Sequence, residues 1–172
     1  MEEDKDILHK ATFNEQGQVI LKNKENIKSG RQSRAAGARF ELKVRKYWED
    51  KGFAVDKWSN NVDLENNRLI PAKRKYNPFK KVLAIGTGFP DFIVIQFIDK
   101  ERYDVFGVEV KVNGLLSKEE KEKCRWYLKR NIFSKILVAR KPSEKGKRGE
   151  IEYINFAESR WGKDSNNWAH KT

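Results

Sequence analysis

Two short stretches hold the residues whose types and spacing could do chemistry. Gly88-Phe89-Pro90-Asp91 places an acid directly before the apolar run Phe92 to Phe97, and Val108-Glu109-Val110-Lys111 sets a second acid two residues from a lysine. Side chains alternate faces along a strand, so residues two apart share a face about 6.6 Å apart. Glu109 and Lys111 therefore point one way, and Val108, Val110 and Val112 point the other way into a core. Two acids and a lysine converging at the ends of adjacent strands can hold a divalent metal against a phosphate. Phosphodiester hydrolysis needs a polarised phosphate, an activated water and a stabilised leaving group, all of which Mg²⁺ can supply. Asp91 and Glu109 would give the carboxylates, and the Val110 carbonyl a third oxygen ligand. Lys111 could orient or help deprotonate the attacking water, or stabilise charge developing on the phosphate. The plain alternative is a Glu109–Lys111 surface pair, contributing less than ~1 kcal/mol, and an aspartate that merely starts a strand.

The flanking elements must position these residues. Residues 91–98 and 103–112 read as strands, and the polar link Asp99-Lys100-Glu101-Arg102 between them predicts an antiparallel hairpin. Ser117-Lys118-Glu119-Glu120 matches a capping box, so a helix over 117–130 follows, with Cys124, Tyr127, Leu128 and Asn131 continuing one face from Glu120. An apolar strand over 132–139 comes next, and the strand–helix–strand order predicts parallel pairing of 105–112 with 134–139. Upstream, Phe40, Val44, Tyr47 and Trp48 recur at i, i+4, i+7 and i+8, predicting a helix over 33–51 that Gly52 stops. Glu41 adjoins that apolar stripe. Residues 53–58 alternate as a strand, and 59–63 read as a turn in which Asp63, like Asp56, shapes the local chain. Residues 81–85 read as a short strand or as a segment leading into the flexible turn Gly86-Thr87-Gly88, and 151–156 as a short strand. The division is a basic, loosely ordered N-terminal arm (1–32), with a hairpin or strand around Ala11 to Leu21, a core (33–156) and a C-terminal tail (157–172) carrying Trp161 and Trp168.

The 172 residues suit one domain of ordinary size, and the net charge is +12 with 37 Lys and Arg against 25 Asp and Glu. Such an excess favours a polyanionic partner, nucleic acid first. Two stretches concentrate it. Residues 22–34 carry Lys22, Lys24, Lys28, Arg31 and Arg34, either as a solvated tail or as a phosphate-contacting arm. Residues 68–81 carry Arg68, Lys73, Arg74, Lys75, Lys80 and Lys81 with Tyr76 and Phe79 and no acid. Cations interleaved with rings suit phosphates and bases; the alternative is a basic hairpin whose rings pack inward. Mean hydropathy is −0.85, and no apolar run approaches the ~20 residues of a membrane span. The acidic start Met-Glu-Glu-Asp lacks a signal peptide's apolar run. The single Cys124 excludes an intramolecular disulfide and a cysteine zinc site, and His9 and His170 lie far from the acids in sequence. These features point to an intracellular protein, cytoplasmic or nucleoid-associated.

Gly88-Phe89-Pro90-Asp91 and Glu109-Val110-Lys111 together resemble the two signature motifs of the PD-(D/E)XK nuclease superfamily. Gly114-Leu115-Leu116-Ser117 with its amphipathic helix is similar to the virus-type replication-repair nuclease and archaeal Holliday-junction-resolvase branches. Gly37-Ala38-Arg39-Phe40-Glu41 resembles the first helix of the resolvases, in which a helix glutamate joins the metal site. The resemblance covers roughly residues 33–141. It implies an α/β, restriction-endonuclease-like core: a central mixed β-sheet flanked by helices, with Mg²⁺ or Mn²⁺ as cofactor. By carry-over, Asp91 and Glu109 bind metal, Lys111 is catalytic, and Glu41 is the helix acid. Two departures stand out. Virus-type relatives have a glutamine on the helix after the lysine strand, where this chain has Glu120, which its capping box already explains. The segment 58–86 is longer and more basic than in compact resolvases.

The expectation is a metal-dependent DNA endonuclease, with branched DNA or Holliday junctions as candidate substrates in replication, recombination or repair. Arg31, Arg34, Lys73, Arg74, Lys75, Lys80 and Lys81 are the expected nucleic-acid contacts. A homodimer would present the two sites that symmetric cutting requires. The rival is a non-catalytic nucleic-acid-binding module on the same fold. A basic RNA-associated protein would explain the charge but not Asp91, Glu109 and Lys111 together.

Overall fold

The computed structural model describes residues 8–14, 17–72, 74–77, 82–85, 88–144 and 149–163. The chain forms two compact units, Met1–Phe40 and Glu41–Thr172. In the first, β1 (His9–Phe13) and β2 (Val19–Asn23) pair antiparallel, from His9 opposite Asn23 to Phe13 opposite Val19. Gly17, at φ 77°, and Asn14, whose side chain accepts the Gln18 amide at 2.8 Å, close the turn. This hairpin falls where the sequence suggested one.

Helix α1 (Lys24–Asp50) then runs for 27 residues across both units. It starts nine residues before the expected position 33. Residues 24–32 are mostly good helix formers without an apolar stripe, so propensity extends the helix where periodicity is silent. The Asn23 side chain caps it by accepting the Glu25 amide at 2.8 Å.

The second unit is built on β3 (Ala54–Lys57), β4 (Asn60–Asp63), β5 (Arg68–Pro71), β6 (Arg74–Asn77), β7 (Val82–Ile85), β8 (Phe92–Asp99), β9 (Arg102–Val110), α2 (Lys118–Lys129), β10 (Ile136–Arg140), β11 (Glu152–Asn155) and the short α3 (Arg160–Lys163). A five-stranded mixed sheet has the order β11-β10-β9-β8-β3. Only the β9–β10 pair is parallel, with Gly107 opposite Ile136 and Val110 opposite Ala139, as the crossover length predicted. β8 and β9 form the expected hairpin, closed by an Asp99–Arg102 ion pair. Residues 60–63, read as a turn, are instead a strand paired with β5. The turn lies at 64–67, where Asp63 accepts the Asn66 backbone amide at 3.0 Å and Asn67 takes φ 53°. Val62, 4% exposed, anchors β4 in the core. β6 and β7 make a further hairpin. Lys73, Lys80, Lys81, Phe79 and Trp168 lie outside the described residues.

Alternation assigns each sheet face a helix. Phe92, Val94, Phe106, Val108 and Ala139 are buried on one face. There Trp48 of α1 packs edge-on against Phe106 at 5.1 Å and against Tyr153 at 5.2 Å. The opposite face carries Ile93, Val105, Ile136 and Val138, packed with Cys124 and Tyr127 of α2, Phe133 and Trp58. The Tyr127 and Phe133 rings meet at 5.0 Å, tilted by 48°, and Trp58 Nε1 donates to Tyr127 Oη at 3.1 Å. Such ring pairs contribute about 0.5–1.5 kcal/mol beyond their area. Trp161 of α3 joins this second face. Asn131, expected on the α2 stripe, lies beyond the helix at φ 54°, a left-handed conformation that ends it. Among the described residues, no helix is long and apolar enough to cross a membrane.

Candidate active site

Asp91 owes its position to two glycines. A Cβ at Gly88 would lie 2.2 Å from the Trp58 carbonyl oxygen and 2.4 Å from that of Asn60, so only glycine lets the chain pass so close to β4. Beside it, Phe89 donates to the Asn60 carbonyl at 3.0 Å and Trp58 donates to the Asp91 carbonyl at 3.3 Å. Gly107 does the same inside β9: a Cβ there would meet Pro90 Cγ at 2.7 Å. Pro90 thus seats on the sheet, and Asp91 falls opposite Glu109, one step beyond the Phe92–Val108 pair.

The two acids interlock through the backbone. Glu109 Oε2 accepts the Asp91 amide at 3.1 Å, and Asp91 Oδ2 accepts the Val110 amide at 2.9 Å. Glu109 shares its sheet face with Val138 and is only 4% exposed. Burial first, and then the charge of Asp91, push its carboxyl up to about 8, against the pull of Lys111. Asp91 is also raised, by burial first; the Val110 amide opposes this, Glu41 adds to it, and Lys111 and Lys57 act against it. Proximity of like charges and scarcity of water are what a bound cation would relieve.

Lys111 Nζ stands 3.1 Å from Glu109 Oε1 and 2.6 Å from Glu120 Oε1. The shared face expected for Glu109 and Lys111 is therefore present. Val112, expected in the core, is 39% exposed. β9 ends at Val110, and the chain turns away with Gly114 donating to the Lys111 carbonyl at 2.8 Å. Burial works to discharge the Lys111 ammonium, but the bonds to Glu120 and Glu109 outweigh it and raise its pKa. Glu120 is lowered: burial would raise it, yet Lys111 and the Ser117 amide overcome that.

Glu120 is the residue that sequence reasoning confined to capping. The box is present, with Ser117 Oγ accepting the Glu120 amide at 3.2 Å and Glu120 Oε2 accepting the Ser117 amide at 2.7 Å. That occupies one carboxylate oxygen, and the other holds Lys111. Lys57 is a second addition, on β3 at 3.9 Å from Glu41. No pattern in the sequence marked it.

Glu41 lies on α1 beside Lys57, and its charge acts on Asp91. Among the described residues no group of three or more His, Cys, Asp and Glu side chains is arranged to hold a metal. The donors that fit a hard cation are the two carboxylates of Asp91 and Glu109 and the Val110 carbonyl, an oxygen set of the kind Mg²⁺ takes together with several waters. The burial of Glu109 against Asp91, with each carboxylate tied to the other strand, is the structural observation that matches such an ion. Arg31 and Arg34 belong to the first unit. Arg74 and Lys75 fall on β6, in backbone outline. Asp56 only accepts the Lys57 amide at 2.7 Å, and Asp63 shapes its turn. Comparison of the sequence with models of known protein families gives no match, and comparison with curated proteins gives none.

Proposed function

We propose that this protein is a metal-dependent DNA endonuclease of the PD-(D/E)XK type with a restriction-endonuclease-like fold. One observation carries the reading: a buried acid and a second acid face each other at adjacent strand ends, with a lysine 3.1 Å from the buried one. Asp91, Glu109 and the Val110 carbonyl would hold Mg²⁺ or Mn²⁺. Such an ion supplies Lewis acidity toward the phosphate and lowers the pKa of a bound water. Lys111 keeps its proton at neutral pH, because Glu120 and Glu109 hold the ammonium. This supports a role as a positive donor to charge developing on the phosphate, rather than as the base. Glu120 fixes where that donor points, and Glu41 adds negative charge near Asp91.

The net charge of +12 supports a polyanionic substrate. Branched DNA, Holliday junctions included, is the class the motif resemblance suggests, and a homodimer would present two such sites. The test is a panel of labelled duplex, flap, single-stranded and four-way-junction DNA incubated with Mg²⁺ or Mn²⁺. Cleavage is expected from the wild type and not from folded Asp91→Ala, Glu109→Ala or Lys111→Ala. Cleavage retained in all three purified variants rejects the reading. Salt-dependent binding with no cleavage of any substrate points instead to a non-catalytic DNA-binding module.

A further inference from the structure

We propose that the groove between the β1–β2 hairpin and the start of α1 is a binding site for the phosphodiester backbone of DNA. The groove has a volume of about 610 Å³, and all the residues lining it belong to the Met1–Phe40 unit. Lys10 and Lys22 line it from the hairpin, Arg31 and Arg34 from α1, with Thr12 and Asn26 as neutral polar residues between them. No carboxylate is among its lining residues.

Three physical features favour a polyanion there. Lys10 and Lys22 are directly opposed cross-strand partners. Like charges so placed destabilise a hairpin, and an anion lying between them removes that penalty. Arg31 and Arg34 are three residues apart, so they share one side of the helix about 4.5 Å apart along its axis. Their guanidinium forks match phosphate oxygens. The volume is in the range of pockets that take whole small molecules, more than one phosphate needs, and the cations sit on both walls. A strand of linked phosphates fills such a groove better than a single ion. The Asn23 cap already takes the Glu25 amide, so the site rests on its side-chain cations rather than on the helix end.

The ligand's identity rests on the DNA reading above, whereas the site's location rests on the groove alone. The test uses the full chain in EDTA and reads fluorescence anisotropy of a labelled random-sequence DNA duplex between 50 and 200 mM NaCl. The groove variant is Lys10→Ala, Lys22→Ala, Arg31→Ala, Arg34→Ala. Its charge-matched control is Lys43→Ala, Lys46→Ala, Lys100→Ala, Lys129→Ala, all at exposed positions of the second unit. Each lowers the net charge by four.

The groove variant is expected to bind at least tenfold more weakly than wild type. Its log–log salt slope should be shallower by about two or more, since each lost phosphate contact removes ~0.9. The control is expected to lose less than about threefold. Equal losses in the two variants overturn the proposal, because net charge alone would explain them. Displacement of DNA by low-millimolar inorganic phosphate at matched ionic strength also overturns it, in favour of a small-anion pocket. So does a loss confined to a labelled RNA duplex. If the quadruple variant does not fold, Lys10→Gln with Lys22→Gln is read by the same criteria at half the expected slope change. Asp91→Ala separates the two proposals: it should abolish cleavage and leave this binding intact.

Discussion

Asp91 and Glu109 are joined by a reciprocal exchange across β8 and β9. The Glu109 carboxylate takes the Asp91 amide, and the Asp91 carboxylate takes the amide of Val110, the residue after Glu109. Each acid thereby fixes the other strand's backbone, and neither can move without loosening its partner. The arrangement keeps two carboxylates close in a place with little water. It is stable only if a proton or a cation offsets their charge.

The first prediction concerns metal-free stability against pH. The folded-state pKa of Glu109, about 8, lies above the ordinary 4.5. The native state therefore binds the extra proton, and stability falls as pH rises from 4.5 through about 8. The loss should amount to a few kcal/mol at most, read as a falling Tm in EDTA. In Glu109→Gln this part of the pH dependence should disappear. An unchanged Tm profile in that variant would show that Glu109 ionises normally.

The second prediction follows from the same sign. Mg²⁺ or Mn²⁺ competes with the Glu109 proton, so each ion should raise Tm more at pH 8 than at pH 6. At 100 times Kd the gain is ~2.7 kcal/mol. Titration calorimetry at pH 7 in buffers of different ionisation enthalpy should show protons released on binding. Asp91→Asn should remove both the Tm gain and the proton release. A wild type whose Tm and heats ignore both ions would refute a metal site here.

Much of this was legible from the chain because strong local signals coincided. The capping box fixed where α2 begins, the Asp99–Arg102 link fixed the β8–β9 hairpin, and the crossover length fixed the parallel β9–β10 pair. Alternation put Glu109 and Lys111 on one side. Three things escaped. The start of α1 has no apolar stripe, so periodicity could not reveal it. β4 resembled a turn because Ser59, Asn60, Asn61 and Asp63 are turn formers, while its anchor is the single buried Val62. Glu120 carried one visible function, and the second depends on where Lys111 ends in space, which spacing along the chain does not encode.

The third prediction separates the two tasks of Glu120. Ser117→Ala removes the cap's side-chain acceptor and should cost ~0.5–2 kcal/mol with little change in cleavage rate. Glu120→Ala should cost similar stability and also lower kcat, because Lys111 loses its 2.6 Å partner. Glu120→Gln keeps its one acceptor oxygen for Lys111 and should recover most of the kcat, but its NH2 cannot accept the Ser117 amide, so the stability loss should remain. Denaturant unfolding and single-turnover cleavage read the two effects separately. If Ser117→Ala and Glu120→Ala lower kcat equally, Glu120 acts through the helix alone.

The last prediction concerns the glycine under the acids. Gly107→Ala would place a methyl 2.7 Å from Pro90 Cγ, with Phe133 and Ile136 at 3.4 and 3.5 Å behind it. No flexible side-chain end is available to yield, so the proline must lift from the sheet. Overpacking of this kind costs about 1–3 kcal/mol. Because Asp91 follows Pro90 directly, the lift should lengthen the Asp91–Val110 and Glu109–Asp91 bonds and release the carboxylates from their shared geometry. Cleavage should therefore fall further than the stability loss alone accounts for, at a temperature where the variant remains folded. Metal-induced Tm gain should shrink in parallel. Gly52→Ala, at φ 82° with open space around its Cβ, is the matched control: it should lose stability through strain at the end of α1 and leave cleavage by the folded fraction unchanged. Equal activity per folded molecule in Gly107→Ala and Gly52→Ala would show that Pro90 does not set the position of Asp91.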